Sequence, residues 1–369
     1  MNAVNRIVRT LVLVVAAGPL SATAEVYDLP PPGNDVVGAL TTAISREDDT
    51  LLDVARRHGL GYEDIVRANP NVDTWLPGEG TEIILPTRYV LPPGPRRGVV
   101  LNLAEYRLYY YPTPQEGQPA VVMTYPISIG RMDWETPLGR TTIVSKVRNP
   151  SWYPPDSIRA EHAAEGDPLP RIVPPGPQNP LGDYAMRLGL PGYLIHGTNR
   201  PDGVGMRVTH GCIRMFPEDI DYLFGRVDVN TDVRIINEPV KIGWDGDELV
   251  VEVHQTLDVS LPEVEVETGT EVEIGTEVET GTEGETGPEG ETGPEGEAEA
   301  VGGEQSVVTV PPAVRDAMTA LTEQFVAATN ERPGVLDWDT AEELLARADG
   351  IPAVVGRRIK DAATSAASE

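Results

Sequence analysis

The chain has 369 residues, 40% of them hydrophobic, so it can bury the cores of two or three domains. Its 35 prolines and 37 glycines, against 3 phenylalanines, favour β-rich modules with irregular connections over a helical bundle. The net charge of −29 is unevenly placed: between Lys241 and Arg315 there are 20 Asp and Glu and no Lys or Arg, which leaves −9 elsewhere. The acidity belongs to one segment and argues against nucleic acid or an anionic membrane as partner.

Residues 1–24 carry Arg6 and Arg9, an apolar run from Leu11 to Leu20, and Ala22-Thr23-Ala24 ahead of Glu25. This is the pattern of a cleaved secretory signal. The apolar run falls short of the ~20 residues of a spanning helix, and the signal lacks the cysteine that a lipoprotein would need. A soluble, exported mature protein is expected, with no membrane span.

After a short lead-in containing Pro30-Pro31-Pro32, residues 41–86 read as a compact module. Asp49 or Thr50 caps a helix carrying Leu51, Leu52, Val54 and Ala55, and Gly59 closes it. A second helix runs from Tyr62 to Ala68 and stops at Asn69-Pro70, and Thr81 to Leu85 reads as a strand. The order is strand, helix, helix, strand. With Asn69-Pro70-Asn71-Val72-Asp73, Leu76, Gly78 and Ile83 to Pro86, this segment resembles a LysM domain. The resemblance implies binding to the glycan strands of peptidoglycan.

Residues 97–239 change character. Val99 to Leu103, Tyr106 to Tyr110, Val121 to Tyr125 and Thr141 to Ser145 are short β-branched and aromatic runs separated by turn residues, as in a mostly-β sandwich or barrel. The proline-rich stretch from Trp152 to Pro180 is too long for a routine connector and reads as a lid or substrate wall. Pro217 to Phe224 reads as a helix, and Glu248 to His254 as a strand completing this domain.

Residues 260–308 hold a hexad repeat, from Thr268-Gly269-Thr270-Glu271-Val272-Glu273 to Thr292 through Glu297, without aromatics. Such a composition predicts a disordered, self-repelling tether. Residues 311–366 alternate charged and apolar residues at helical spacing and predict a small helical module. Asp339 to Leu345 with Gly350-Ile351-Pro352 and Gly356 to Ile359 faintly resembles a helix-hairpin-helix.

Cys212 is the chain's only cysteine, so it makes no internal disulfide, and two of the five histidines lie near it. Thiol catalysis needs a base, something to orient the base, and donors for an oxyanion. His196 ends the strand-like Tyr193-Leu194-Ile195 and is assigned as base. His210 is a supporting partner, the amides of Gly211 and Cys212 are the oxyanion donors, and Arg214 lowers the thiol pKa or binds a substrate carboxylate. Zinc chemistry lacks the ligands.

With Pro126 to Gly130, Thr136 to Thr141, Ile195-His196-Gly197-Thr198-Asn199 and Thr209-His210-Gly211-Cys212-Ile213-Arg214-Met215, the segment resembles the YkuD-type L,D-transpeptidases of the ErfK/YbiS group. The resemblance implies a β-sandwich catalytic domain and a periplasmic enzyme of cell-wall biogenesis that needs no cofactor or metal. Cys212 would be the nucleophile and His196 the proton donor and acceptor, supported by Gly197, Thr209, His210, Gly211 and Arg214. It would cleave the bond from a diamino acid to the terminal D-alanine of a peptidoglycan tetrapeptide stem. The acyl group would pass to an amine, either of a second stem in a 3-3 crosslink or of an outer-membrane lipoprotein.

Overall fold

The computed structural model describes residues 25–132, 134–257 and 316–359. The expected signal and the acidic tether lie outside the described residues. No helix among those described is long and apolar enough to cross a membrane.

The first strand, β1 (Glu25–Asp28), falls in what the sequence offered only as a lead-in. Next come β2 (Val36–Ile44), α1 (Leu51–Arg57), α2 (Tyr62–Ala68) and β3 (Glu82–Val90), with β2 and β3 antiparallel along their whole length. The βααβ order is the one read from the sequence, but the hairpin reaches well beyond residues 41–86. Thr50 caps α1: its hydroxyl accepts from Asp53 N–H, while the Asp53 carboxylate accepts from Thr50 N–H at 2.9 Å. Leu51, Val54, Leu60, Ile65 and Ile83 close a small core of their own.

Strands β4 (Gly98–Asn102), β5 (Arg107–Tyr111), β6 (Val121–Pro126), β7 (Ile129–Gly130) and β8 (Gly139–Arg148) follow. Then come α3 (Asp156–Ala164), β9 (Tyr184–Leu188), β10 (Leu194–His196), β11 (Arg207–Thr209), β12 (Ile213–Arg214), α4 (Pro217–Phe224) and β13 (Asp232–Ile236). One nine-stranded sheet has the order β1-β6-β5-β4-β13-β8-β9-β10-β12, and β7 pairs separately with β11. The register of β8 against β9 shifts between Ile143 and Ser145, and the arms on either side of β8 share one core. Leu101, Leu108 and Tyr125 come from one arm and Met186, Ile195 and Ile213 from the other. The chain is mostly β, as its proline and glycine content suggested. The proline-rich stretch contains a helix, α3, which starts just after Pro155.

The C-terminal segment differs from expectation. After β14 (Val240–Asp245) and β15 (Glu248–Val253) come α5 (Ala317–Thr329), β16 (Gly334–Leu336), α6 (Trp338–Arg347) and β17 (Ala353–Arg358). They form a four-stranded sheet, β14-β15-β17-β16, covered by Leu321 of α5 and Leu344 of α6. The expected small helical module is therefore a mixed α/β module. Glu248 to His254 belongs to it and does not complete the large sheet, and Gly356 to Arg358, read as part of a helical motif, is strand. The local charge pattern suited a helix, but Val355 is buried in the core that β17 shares with β15.

The modules meet at a buried ionic network. Lys241 on β14 is wholly buried; its Nζ donates to Val90 O at 2.6 Å, lies 3.0 Å from a Glu252 carboxylate oxygen and pairs with Glu105. Glu252 accepts from Val90 N–H at 2.6 Å and sits 2.7 Å from His254 Nε2. Burial pushes the Glu252 carboxyl up, but Lys241 and His254 outweigh it and bring it down to about 2. Burial holds Glu105 above its usual range, Lys241 pulling it back and the Glu252 charge adding to the rise. The carboxyl oxygens and His254 are close enough to suit a metal ion, but the Lys241 ammonium already supplies the cation between the two carboxylates.

Candidate active site

Strands β10 and β12 run parallel, with Ile195 opposite Ile213 and His196 opposite Arg214. Ile195 and Ile213 point into the main core. Alternation then places Cys212, Arg214 and His196 together on the opposite face. The Cys212 thiol lies 3.6 Å from Gly192 O.

The turn before the cysteine is fixed at several points. Thr209 Oγ1 donates to Cys212 O at 2.6 Å, closing residues 209–212. Thr136 Oγ1 donates to Gly211 O at 2.8 Å and accepts from Gly130 N–H at 3.2 Å, which gives the Pro126 to Gly130 and Thr136 motifs a common task. Gly211 has a φ of +93°, and a Cβ there would lie 2.8 Å from the Tyr193 ring, so only glycine suits the place. Thr209 and Gly211 thus shape the turn that presents the thiol.

His196 is buried, and its Nδ1 lies 2.7 Å from the carbonyl of Gly197. A carbonyl only accepts, so Nδ1 carries the proton and Nε2 keeps its lone pair. Gly197 is the orienting group through its main chain, a role that no side-chain search would find. Burial brings the imidazole pKa down to about 3, and the charge of Arg214 pushes the same way. Burial also raises the Cys212 thiol above its usual value, with Leu194 N–H and Arg214 opposing. The sequence expectation that Arg214 lowers the thiol pKa holds in direction only, because burial wins. In the ground state the thiol and the imidazole are both neutral.

His210 does not line up with the other histidine. Its Nε2 sits 2.9 Å from a carboxylate oxygen of Glu161 on α3, and its ring meets Trp134 edge-on with centroids 5.2 Å apart. Glu161 also pairs with Arg131, so α3 ties the proline-rich stretch to the turn before Cys212. Neither Glu161 nor Arg131 stood out in the sequence; a carboxylate in the first helix-forming run of a proline-rich stretch was the available signal. Arg214 is half-buried, and its Nε is buried with no hydrogen-bond partner among the described residues.

A thiol and an oriented neutral histidine on neighbouring strands, at the edge of a bent β-sheet, are the groups that cysteine acyl transfer requires. Residues 96–241 match the YkuD family, the L,D-transpeptidase catalytic domain. The chain is 41% identical over 250 residues to "Probable L,D-transpeptidase YcfS" of Escherichia coli, covering 66% of this chain and 77% of that one. It is 41% identical over 249 residues to "Probable L,D-transpeptidase YbiS" of the same species, covering 66% and 80%. It is 42% identical over 243 residues to "Probable L,D-transpeptidase ErfK/SrfK" of Salmonella typhimurium, covering 65% and 77%. The chain belongs to the YkuD-type L,D-transpeptidase family and is a cysteine-dependent enzyme of that family.

Proposed function

We propose that this enzyme acts in the periplasm on peptidoglycan tetrapeptide stems, with Cys212 as nucleophile and His196 as proton carrier. The observation that carries the reading is the His196 Nδ1 to Gly197 O bond, which leaves Nε2 as the basic nitrogen beside the thiol strand.

With both groups neutral at rest, Nε2 takes the thiol proton as sulfur attacks the carbonyl joining the diamino acid to D-alanine. The Gly211 and Cys212 amides hold the resulting oxyanion. Collapse breaks the C–N bond, and the imidazolium returns the proton to the departing D-alanine amine. An acceptor amine then attacks the thioester and gives a proton to His196; collapse breaks the C–S bond, and His196 hands that proton to the departing thiolate, which regenerates the thiol. The acceptor is the side-chain amine of a second stem or a lysine of an outer-membrane lipoprotein. No step calls for a metal or cofactor.

Cys212→Ala tests the centre. D-alanine release from a tetrapeptide and the acyl-enzyme mass should both vanish, and continued release by the variant would overturn the assignment.

The βααβ module is the LysM domain in this reading and holds glycan strands. Its supporting feature is apolar surface left in solvent, with Trp75 60% and Leu76 81% exposed. Trp75→Ala should weaken co-sedimentation with purified sacculi severalfold, whereas unchanged pelleting would count against the module's role.

A further inference from the structure

The connection from His196 to Cys212 is held by the βααβ module. The first N–H groups of any helix lack partners within it. In α2, Tyr62 N–H donates to Val204 O at 3.0 Å and Glu63 N–H to Gly205 O at 3.3 Å. The acceptors lie in residues 199–206, which link β10, bearing His196, to β11 and Cys212. The contact is main chain on main chain: a Cβ on Gly61 would lie 2.7 Å from Gly205 Cα, and one on Gly205 would lie 2.3 Å from Tyr62 N.

Ion pairs fasten the seam on both sides. Arg56 grips Glu218 of α4 through two bonds, at 2.7 and 2.9 Å. Asp64 accepts from buried Arg107 of β5 at 2.6 Å and from Gly61 N–H at 2.9 Å. On its far side the same connection meets the site. Ser128 Oγ donates to Gly203 O at 2.7 Å while the Ser128 main chain brackets Arg214 through bonds of 2.8 and 3.1 Å. A Cβ on Gly203 would lie 3.5 Å from an Arg214 guanidinium nitrogen.

We infer that the βααβ module is part of the catalytic scaffold: the first turn of α2 fixes residues 199–206 and, through them, Arg214 against Cys212 and His196. Gly61 and Gly205 are positioning residues. The inference rests on the reading of Cys212 and His196 as the reacting pair. It makes the module necessary for turnover of a soluble substrate that contains no glycan, which a purely wall-binding module would not be.

Gly61→Ala is the cleanest probe, because Gly61 has an ordinary extended φ of −91° and alanine adds a clash with Gly205 and a lesser one with Pro126, whose Cβ would lie 3.2 Å away. On a free tetrapeptide, the full-length variant should lose kcat on the order of tenfold or more with KM little changed, as misplacement of reacting groups predicts. The rate of Cys212 alkylation should shift with it, since Arg214 moves relative to the thiol. Wild-type kcat and alkylation in a folded Gly61→Ala protein would overturn the inference. Should that variant not fold, Arg56→Gln loosens one side of the seam without a backbone clash. A fall in kcat of roughly twofold at constant KM, fitting a partly exposed pair, supports the inference, and no change overturns it. Cys212→Ser in the same assay separates the two readings. Turnover by Cys212→Ser defeats the assignment of the nucleophile, whereas a dead Cys212→Ser beside a fully active Gly61→Ala defeats only the role of the module.

Discussion

Lys241 and Arg214 are both cations drawn out of water, and their surroundings differ. Lys241 has two carboxylates, a carbonyl and the Tyr109 hydroxyl around its ammonium, and its partners are themselves bonded to Val90 N–H and His254. Arg214 faces a thiol and an imidazole, keeps Nε without a partner among the described residues, and is itself pushed down by burial and by Arg200. In the first region every charge is answered, which joins three parts of the chain. In the second the charge is left over, and its unspent field bears on His196 and Cys212. A partnered buried ion is a joint, and an unpartnered one beside a thiol is a tool.

The contrast can be broken at either end. Lys241→Met should lower unfolding free energy by about 3–5 kcal/mol, because two buried carboxylates lose their cation; urea denaturation measures it, and an unshifted midpoint would mean the network holds little. Arg214→Leu should leave stability within about 1 kcal/mol of wild type, since a poorly compensated charge is removed. Its kcat/KM should nevertheless fall about 100-fold through lost electrostatic stabilisation, and a variant that is equally active but unstable would reverse the contrast.

The most gradual effect concerns pH. His196 titrates near 3 when folded against an ordinary 6.5, so the unfolded chain binds the extra proton between those values. Stability due to this group is complete above pH 6.5 and is lost as pH falls towards 3, by at most about 1.4 kcal/mol per pH unit. His196→Gln should flatten the acid side of the stability profile by that one-proton slope, and an identical profile would place the lost protons elsewhere.

Much of this was legible from local pattern. The β-branched runs at Val99, Tyr106, Val121 and Thr141 each mark a strand within a residue or two, and the Thr50 cap and Tyr62 helix lie where turn chemistry placed them. That His196 and Cys212 lie on adjoining strands was legible from the strand-like run ending at His196 and the short loop to the cysteine; the Gly197 carbonyl, a main-chain group, was not. What escaped was non-local. β1 is four residues long and followed by prolines, so nothing but its pairing with β6 identifies it. β17 pairs with β15 across a separation of about a hundred residues, and period alone could not tell it from helix. Glu161 and Lys241 acquire meaning only from partners far along the chain.

The place of β1 bears on how this protein can be dissected. The family match begins at residue 96, which invites a cut there. Such a cut would remove β1 and leave β6 as a bare sheet edge open to pairing with another chain. It would also take Val90 from Lys241 and Glu252, and Asp64 from the buried Arg107. The segment that sequence comparison treats as self-sufficient is, in physical terms, a fragment with an unsealed edge and a stranded arginine. Its low activity or aggregation would report the cut and not the chemistry.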